Sequence, residues 1–228
     1  MARTIIVGDV HGCRRELEAL LEACELASED ELVLVGDLVA KGPDSAGVVR
    51  LVRTLGAKAV RGNHDQHLLN WKLATEAGHR PAPRPEHERA ARSLSAADWE
   101  HLASLPSYLR LPHRGAVVVH AGLMPGVAIE QQATDDLLRL RSIRADGSGS
   151  SKLDGRPWAS LWQGPELVFF GHDARRGLQL HPHAIGLDTG CAYGRKLTAY
   201  LLPDRRLVSV PAQRRHCPVA APAGSGSG

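Results

Sequence analysis

Short apolar runs that end in glycine or in polar, ligand-type side chains recur along this chain of 228 residues. The runs occupy residues 4–7, 32–35, 57–60, 117–119 and 167–170. The polar side chains that follow them are Asp9, His11, Asp37, Asn63, His64, Asp65, His120 and His172. Parallel strands end at one edge of a sheet, so we expect these side chains to meet there.

Helical spacing of apolar residues separates the first runs. Leu17, Leu20, Leu21 and Cys24 predict a helix near 14–25, and similar stripes predict helices near 44–55 and 65–76. Strands that alternate with helices predict a parallel sheet with right-handed crossovers. The runs at 167–170, 184–188, 197–202 and 207–210 predict a second, largely antiparallel sheet packed on the first.

The middle of the chain changes character. Residues 78–92 carry Gly78, Pro81, Pro83 and Pro85 and predict a surface excursion. Ser95 and Asp98 resemble a capping box that begins a helix running through Leu102. We therefore expect a helical insert over 78–115 within one domain of residues 1–217, followed by a disordered tail at 218–228. The insert is either a lid over the site or only a cover for the sheet.

Composition is ordinary for a globular protein, with 43% hydrophobic and 23% charged residues. The net charge of +3 is too small to indicate a stable nucleic-acid partner, but it tolerates an anionic substrate. The four cysteines lack the spacing of a disulfide framework or a zinc knuckle. The sequence predicts no membrane span and no signal peptide, and we expect a cytoplasmic location. It does not predict an oligomeric state.

Two aspartates, three histidines and one asparagine form a ligand set without sulfur, which suits borderline or hard divalent cations. In chain order, the segments at 8–12, 36–42, 61–65, 120–122 and 171–172 resemble the signature motifs of the phosphoprotein-phosphatase family of metallophosphoesterases. The resemblance covers roughly residues 4–202 and implies a two-sheet αββα sandwich. Within that family, residues 43–45 and 187–191 look like the diadenosine-tetraphosphatase and ApaH-like branch.

The resemblance implies a site with two divalent cations, manganese being preferred and iron, cobalt or zinc being alternatives. It implies these metal ligands: Asp9, His11, Asp37 as the bridge, Asn63, His120 and His172. It also implies that His64 protonates the leaving oxygen. Lys41, Arg61 and either Arg139 or Arg141 would bind phosphate oxygens, with Arg141 slightly favoured.

Two positions depart from the family pattern. Ala40 stands where the protein phosphatases carry the aspartate that orients the catalytic histidine, so we expect Asp65 to orient His64 instead. Lys41 stands where most relatives have arginine, and it provides a point charge in place of a bidentate fork. The first departure counts against a dedicated protein phosphatase.

Several conspicuous residues have simpler interpretations. We expect most of the remaining histidines to lie on the surface, namely His67, His79, His87, His101, His113, His181, His183 and His216. Trp158 and Trp162 are expected in the core, with base stacking as the alternative. Arg175 and Arg176 follow the His172 motif and are either turn residues or phosphate neighbours. Asp188 is expected to support the structure.

The function that the resemblance favours is symmetrical hydrolysis of diadenosine tetraphosphate to two ADP. The first alternative is a broader phosphatase acting on phosphoproteins, nucleotides, polyphosphate or RNA caps. A second alternative, from a different class, is a metal-binding module that recognises RNA 5′ ends without catalysis. The intact set of ligands and His64 argue against that module.

Overall fold

Helices and strands alternate through the first third of the chain, as the apolar spacing predicts. The computed structural model describes residues 2–79 and 82–217. The helices are α1 (Arg14–Ala23), α2 (Ser45–Thr54), α3 (Asn63–Glu76), α4 (Pro85–Ser93), α5 (Ala96–Ser104) and α6 (Thr134–Arg139). The strands are β1 (Thr4–Val7), β2 (Glu31–Leu34), β3 (Lys58–Ala59), β4 (Tyr108–Leu111), β5 (Ala116–Val119), β6 (Ser142–Ile143), β7 (Gly149–Ser150), β8 (Arg156–Pro157), β9 (Leu167–Phe170), β10 (Gln179–Leu180), β11 (Ala184–Gly186), β12 (Lys196–Leu202) and β13 (Arg206–Pro211).

Two five-stranded sheets form the centre of the molecule. The first has the order β13-β12-β1-β2-β3, and the second has the order β10-β11-β9-β5-β4. Strands β1, β2 and β3 are parallel, as are β11, β9 and β5. A small third sheet, β7-β6-β8, lies between α6 and β9 in the chain.

Successive residues of one strand pack into different hydrophobic cores. Each sheet therefore packs against the other sheet on one face and against an outer layer on the opposite face. Ile5 and Val7 pack with α1 and α2, whereas Ile6 packs between the sheets. On β9, Phe169 enters the layer between the sheets, while Phe170 packs on the outer face with Trp158. Because both faces of these strands are covered, they are apolar throughout. The αββα sandwich that the sequence predicts is confirmed.

The set of strands predicted for the second sheet was wrong. Strands β12 and β13 belong to the first sheet, where β12 runs antiparallel to β1 with Thr4 opposite Leu202. The centre of the second sheet is parallel, with antiparallel pairing only at its two edges. An apolar pattern shows that a strand is buried, but it does not show which strand it pairs with.

The insert is more regular than predicted. Residues 85–93 form α4, although the sequence predicted a surface excursion there, and 108–111 form β4 beside β5. Pro85 and the acids in the first turn are helix-start signals, because Pro fits N1 and acids favour the N-terminus. The predicted capping box of Ser95 and Asp98 is present. Pro81 and the predicted tail at 218–228 lie outside the described residues.

Candidate metal centre and phosphate cavity

The strand tips that the sequence singles out come from both sheets. Asp9 and His11 follow β1, Asp37 follows β2, His120 follows β5 and His172 follows β9. Hydrogen bonds join the two groups of tips: the backbone N–H of His172 donates to both carboxylate oxygens of Asp9 at 3.1 Å. The site therefore lies where the carboxyl ends of the two sheets meet.

Asp37 occupies the centre of this arrangement. Its Oδ2 lies 3.4 Å from Nε2 of His11 and 3.6 Å from Nε2 of His120. Asp9 Oδ2 lies 3.9 Å from the same nitrogen of His11. One carboxylate oxygen thus faces ligand atoms of both proposed metal positions, which is the arrangement a bridging ligand requires.

The two imidazoles beside Asp37 are held in one tautomer. Nδ1 of His11 lies 3.2 Å from the Val39 carbonyl, and Nδ1 of His120 lies 2.9 Å from the Val35 carbonyl. A carbonyl only accepts, so each Nδ1 carries the hydrogen and each Nε2 presents a lone pair to the centre. Such partners are typical of histidines that bind metals.

Asn63 completes the second group of donors. Its Oδ1 lies 2.9 Å from Nε2 of His120 and 2.7 Å from Nδ1 of His172. In the described structure, Nε2 of His172 is buried without a hydrogen-bond partner. The amide oxygen, the two ring nitrogens and Asp37 form a mixed N/O set that fits a divalent cation.

Burial controls the protonation of these groups. It lowers the pKa of His120 to about 4 and lowers the pKa values of His11 and His172 well below the usual range. Neutral imidazoles are the form that binds metals. Burial also raises the pKa of Asp37 to about 6, while burial and then Asp188 raise that of Asp9. A cation would reverse this penalty on the carboxylates.

Two motif glycines are required by close packing around the carboxylates. A Cβ atom on Gly62 would lie 2.2 Å from Asp37 Oδ1, and one on Gly171 would lie 1.9 Å from Asp9 Oδ1.

Lys41 approaches from another loop, and its Nζ lies 2.6 Å from Nε2 of His11. The pKa of Lys41 is raised although burial opposes its charge, because Asp37, Tyr193 and Asp188 favour the ammonium.

His64 stands beside the centre at the start of α3. A ring nitrogen of His64 lies within 4.8 Å of ligand atoms of His11 and Asp37. Its Nδ1 lies 3.0 Å from Nε2 of His87, which belongs to α4 of the insert. His87 is 2% exposed, so its predicted surface position is wrong.

The predicted pairing of Asp65 with His64 is also wrong. Asp65 Oδ1 accepts the backbone N–H groups of Leu38 and Val39, and Oδ2 accepts that of Gly62. Asp65 is the third residue of α3 and caps the helix, a role that its distance from Gly62 could have indicated. His87 is therefore the hydrogen-bond partner of His64 in the described structure.

Arg61 does not occupy the predicted phosphate position. Its guanidinium donates to Gln66 Oε1 at 3.0 Å and to the Ala103 carbonyl at 2.6 Å. Ala103 lies in α5, so Arg61 holds the insert against α3. Its predicted phosphate role is not supported by these contacts.

A cavity of about 330 Å³ opens beside His64 and His172. Arg139 and Arg141, the two candidates for the arginine that binds phosphate, both line it. Arg141 donates to the Ser151 carbonyl at 2.8 Å and to the His172 carbonyl at 3.0 Å. The side chain of Arg139 is half exposed and lies 3.5 Å from Asp135. The geometry thus holds Arg141 more firmly.

The sequence missed three other groups at the cavity. Arg84 and His67 line it beside His87, and the insert supplies two of these three side chains. Arg84 immediately precedes Pro85, so recognising the start of α4 would have placed it at the helix end. The insert therefore forms one wall of the cavity, whereas a lid movement remains a prediction.

Three further expectations have clear outcomes. Trp158 is buried in the core as predicted, and its indole N–H donates to the Ala121 carbonyl. Arg176 pairs with Asp173 at 2.6 Å and is a turn residue. Asp188 is 4% exposed and close enough to Asp9 to raise its pKa, so it contributes charge to the centre as well as accepting the Gly190 N–H.

Comparison with known proteins was made by sequence and by structure. The sequence model of the calcineurin-like phosphoesterase family matches residues 2–179. A symmetrical bis(5′-nucleosyl)-tetraphosphatase of Aromatoleum aromaticum is 31% identical, covering 92% of this chain and 97% of that protein. The asymmetrical bis(5′-nucleosyl)-tetraphosphatase PrpE of Oceanobacillus iheyensis is 28% identical, covering 92% of each.

A solved structure of a protein proposed to be a diadenosine tetraphosphatase is 44% identical and superposes with a TM-score of 0.82. The match covers 92% of this chain and 94% of that one. None of the helices within 2–79 and 82–217 has the length and apolarity that a bilayer span requires.

Proposed function

The chain belongs to the calcineurin-like phosphoesterase family, and from this membership we propose that it hydrolyses diadenosine tetraphosphate symmetrically to two ADP. The observation from which we infer the substrate is the 44% identical structural neighbour, a protein proposed to be a diadenosine tetraphosphatase. The symmetrical tetraphosphatase at 31% identity supports the same substrate and the position of cleavage. The chain is a metal-dependent hydrolase of phosphoesters.

Two divalent cations fit the donors at the strand tips. Asp9, His11 and Asp37 would hold one, and the second would be held by Asp37, Asn63, His120 and His172. When bound, such cations activate water and compensate charge on the transferred phosphoryl group. We propose manganese as the native metal, and a cytoplasmic location stays a prediction.

His64 is the proposed proton donor to the leaving oxygen. Its contact with His87 makes Nδ1 the nitrogen that faces the insert and leaves Nε2 to carry the proton for the substrate. His64 takes a proton from solvent, gives its Nε2 proton to the leaving oxygen and returns to the neutral ring, while the contact with His87 holds the ring in place. Burial, followed by Lys41, lowers the pKa of His64, so the protonated ring gives up its proton readily.

Phosphate oxygens are bound by the arginines of the cavity in this proposal. Arg141 is fixed by two carbonyls and is ready to donate without reorganisation. Arg139 and Arg84 add positive charge on either side, and Lys41 does so from the metal side. A tetraphosphate carries several negative charges, and several positively charged side chains in the cavity can compensate them. A single phosphate would need fewer such side chains.

Asymmetrical cleavage to AMP and ATP is the second candidate. The alignment with PrpE is 230 positions long, close to the 228 residues of this chain. The alignment with the Aromatoleum enzyme runs to 269 positions, so at least 41 of them lack a residue here. The chain thus matches the asymmetrical enzyme in length and the symmetrical one in sequence identity.

Product analysis decides between these candidates. Protein loaded with manganese is incubated with diadenosine tetraphosphate in ¹⁸O-labelled water, and every nucleotide is quantified. We expect ADP alone, with the label in one of the two ADP molecules formed at each cleavage. AMP and ATP in equal amounts would contradict symmetrical cleavage. We also expect a kcat/KM at least about tenfold above that for a phosphopeptide, and the reverse preference would indicate a protein phosphatase.

A further inference from the structure

A second group of metal-type side chains lies outside the centre already described. Sγ of Cys13, a carboxylate oxygen of Glu16 and a ring nitrogen of His216 all lie within 4.8 Å of one another. Cys191 lies beside Cys13, and this contact, followed by burial, raises the pKa of the Cys191 thiol. We refer to Cys13, Glu16 and His216 as the cysteine cluster.

Two separate parts of the chain supply the cysteine cluster. Cys13 is the N-cap of α1 and Glu16 lies in its first turn. His216 follows β13 on a segment whose backbone is fixed: its N–H donates to the Ala192 carbonyl at 3.0 Å. The backbone N–H of Gln213 donates to Glu16 Oε1, also at 3.0 Å.

The ring of His216 is the observation that points to a ligand. Its side chain is 8% exposed, and its Nε2 is buried without a hydrogen-bond partner in the described structure. The nearest charged atom, Glu16 Oε1, is 3.6 Å away, which is too far for a hydrogen bond. The sequence predicted a surface histidine here, so burial of this nitrogen beside a thiol and a carboxylate needs a different explanation.

We propose that the cysteine cluster binds one Zn²⁺ through the Cys13 thiolate, the His216 imidazole and the Glu16 carboxylate. Sulfur, imidazole nitrogen and carboxylate oxygen are the donors that zinc takes in proteins, and a water would fill the fourth position. Binding releases the thiol proton to solvent, and the ion keeps its oxidation state. The N-terminus of α1 favours the anionic ligands, because its dipole is positive there.

The ion would join the segment at 212–217 to the centre of the molecule. Cys13 lies two residues after His11. A zinc ion at the cysteine cluster would therefore fix the turn that carries His11, and would hold the 212–217 segment against it. The inference is independent of which phosphoester the protein hydrolyses.

Absorption of bound Co²⁺ distinguishes the cysteine cluster from the proposed metal centre at the strand tips. The donors at the strand tips include no sulfur, so thiolate-to-cobalt charge-transfer absorption in the near ultraviolet reports the cysteine cluster alone. The reduced protein is stripped of metal, titrated with Co²⁺, and analysed for metal per chain. We expect charge-transfer absorption, and one more cobalt ion per chain in wild type than in Cys13→Ser. Absence of that absorption, or equal cobalt content in the two proteins, would overturn the proposal.

Variants identify the ligands. His216→Ala changes a residue near the end of the described residues and should fold, and we expect it to bind the cobalt ion of the cysteine cluster at least tenfold more weakly. Cys13→Ser should abolish the charge-transfer absorption. Cys24→Ala removes a buried thiol outside the cysteine cluster and should keep the absorption unchanged. Equal cobalt affinity in His216→Ala and wild type would contradict the ligand set, as would a disulfide revealed by finding two free thiols instead of four in denatured, unreduced protein.

Discussion

The proposed site has two halves that the chain builds in different ways. The cation half consists of five buried donors that follow strands and the half-buried Asn63 at the start of α3. The five are Asp9, His11, Asp37, His120 and His172. The proton-and-phosphate half consists of side chains from helices and loops: His64, His87, Arg84, Arg139 and Arg141. Motif spacing along the sequence places the first half because strand ends fix it. The second half depends on how the insert packs, and spacing alone does not reveal that.

Backbone conformation separates the two halves further. His11, Asp37 and His172 all have positive φ, at 50°, 51° and 66°. Non-glycine residues reach this region at a cost of about 1 kcal/mol or more, so the surrounding structure must hold them there. The residues of the second half are absent from the positive-φ residues of the described chain. Strain is thus concentrated where the ligands converge.

Removing the central carboxylate should have the largest effect, because it breaks the cation half alone. Asp37→Asn is expected to lose cations from both positions and to reduce activity below detection, since one oxygen faces ligands of both. Metal content and turnover are measured together. Asp204→Asn, an exposed change in the turn between β12 and β13, should behave as wild type. Substantial turnover by Asp37→Asn at saturating manganese would end the two-cation account.

The arginines test which side chain binds phosphate. Arg141→Ala should lower kcat/KM by about 10- to 100-fold, because charge-assisted hydrogen bonds contribute about 1.5–3 kcal/mol. Arg61→Ala should lower it at least fivefold less, since its guanidinium is bonded to the insert. Steady-state kinetics on both variants make the comparison. A larger effect at Arg61 would restore the role that the family resemblance implied.

His87 gives the next smaller effect and tests the insert directly. His87→Ala should lower kcat about tenfold with little change in KM or metal content, because it removes the partner that orients His64. His79→Ala, an exposed change at the end of α3, is the matched control. Full activity in His87→Ala would leave the insert as a cover for the sheet.

Asp65 supplies the contrast to His87. Asp65→Asn weakens three hydrogen bonds to backbone N–H groups and should lower the free energy of unfolding by about 1–3 kcal/mol. The kcat of the folded enzyme should fall less than in His87→Ala. Denaturant unfolding and kinetics on the same preparation separate the two effects. A kcat loss in Asp65→Asn equal to that of His64→Ala would favour the pairing that the sequence suggested.

Sequence reasoning succeeded where one backbone rule decides the outcome. The carboxyl ends of parallel strands meet at one edge, so the strand pattern predicted that the six proposed donors would come together. The rule does not predict which of two sheets a strand joins, and β12 and β13 were assigned to the wrong sheet for that reason. It is also silent about side-chain direction: Asp65 is two residues from Asn63 in the chain, but its oxygens face the backbone of 38–39.

Long-range packing explains the remaining errors. His87 lies 23 residues from His64, and His216 lies 200 residues from Glu16. No local pattern distinguishes such histidines from surface ones, since their burial comes from elements that pack only in the folded chain. The start of α4 was the one accessible signal, because proline followed by acids is a helix-start pattern.

The division of the site into two halves is tested most directly by His64→Ala, measured for metal content and kcat in one preparation. His64 stands between the halves, within 4.8 Å of ligand atoms and bonded to the insert. The account predicts unchanged metal content and a kcat lowered about 10²- to 10⁴-fold, the contribution of a general acid. Loss of metal in parallel with activity would contradict it, because His64 would then be a ligand of the cation half.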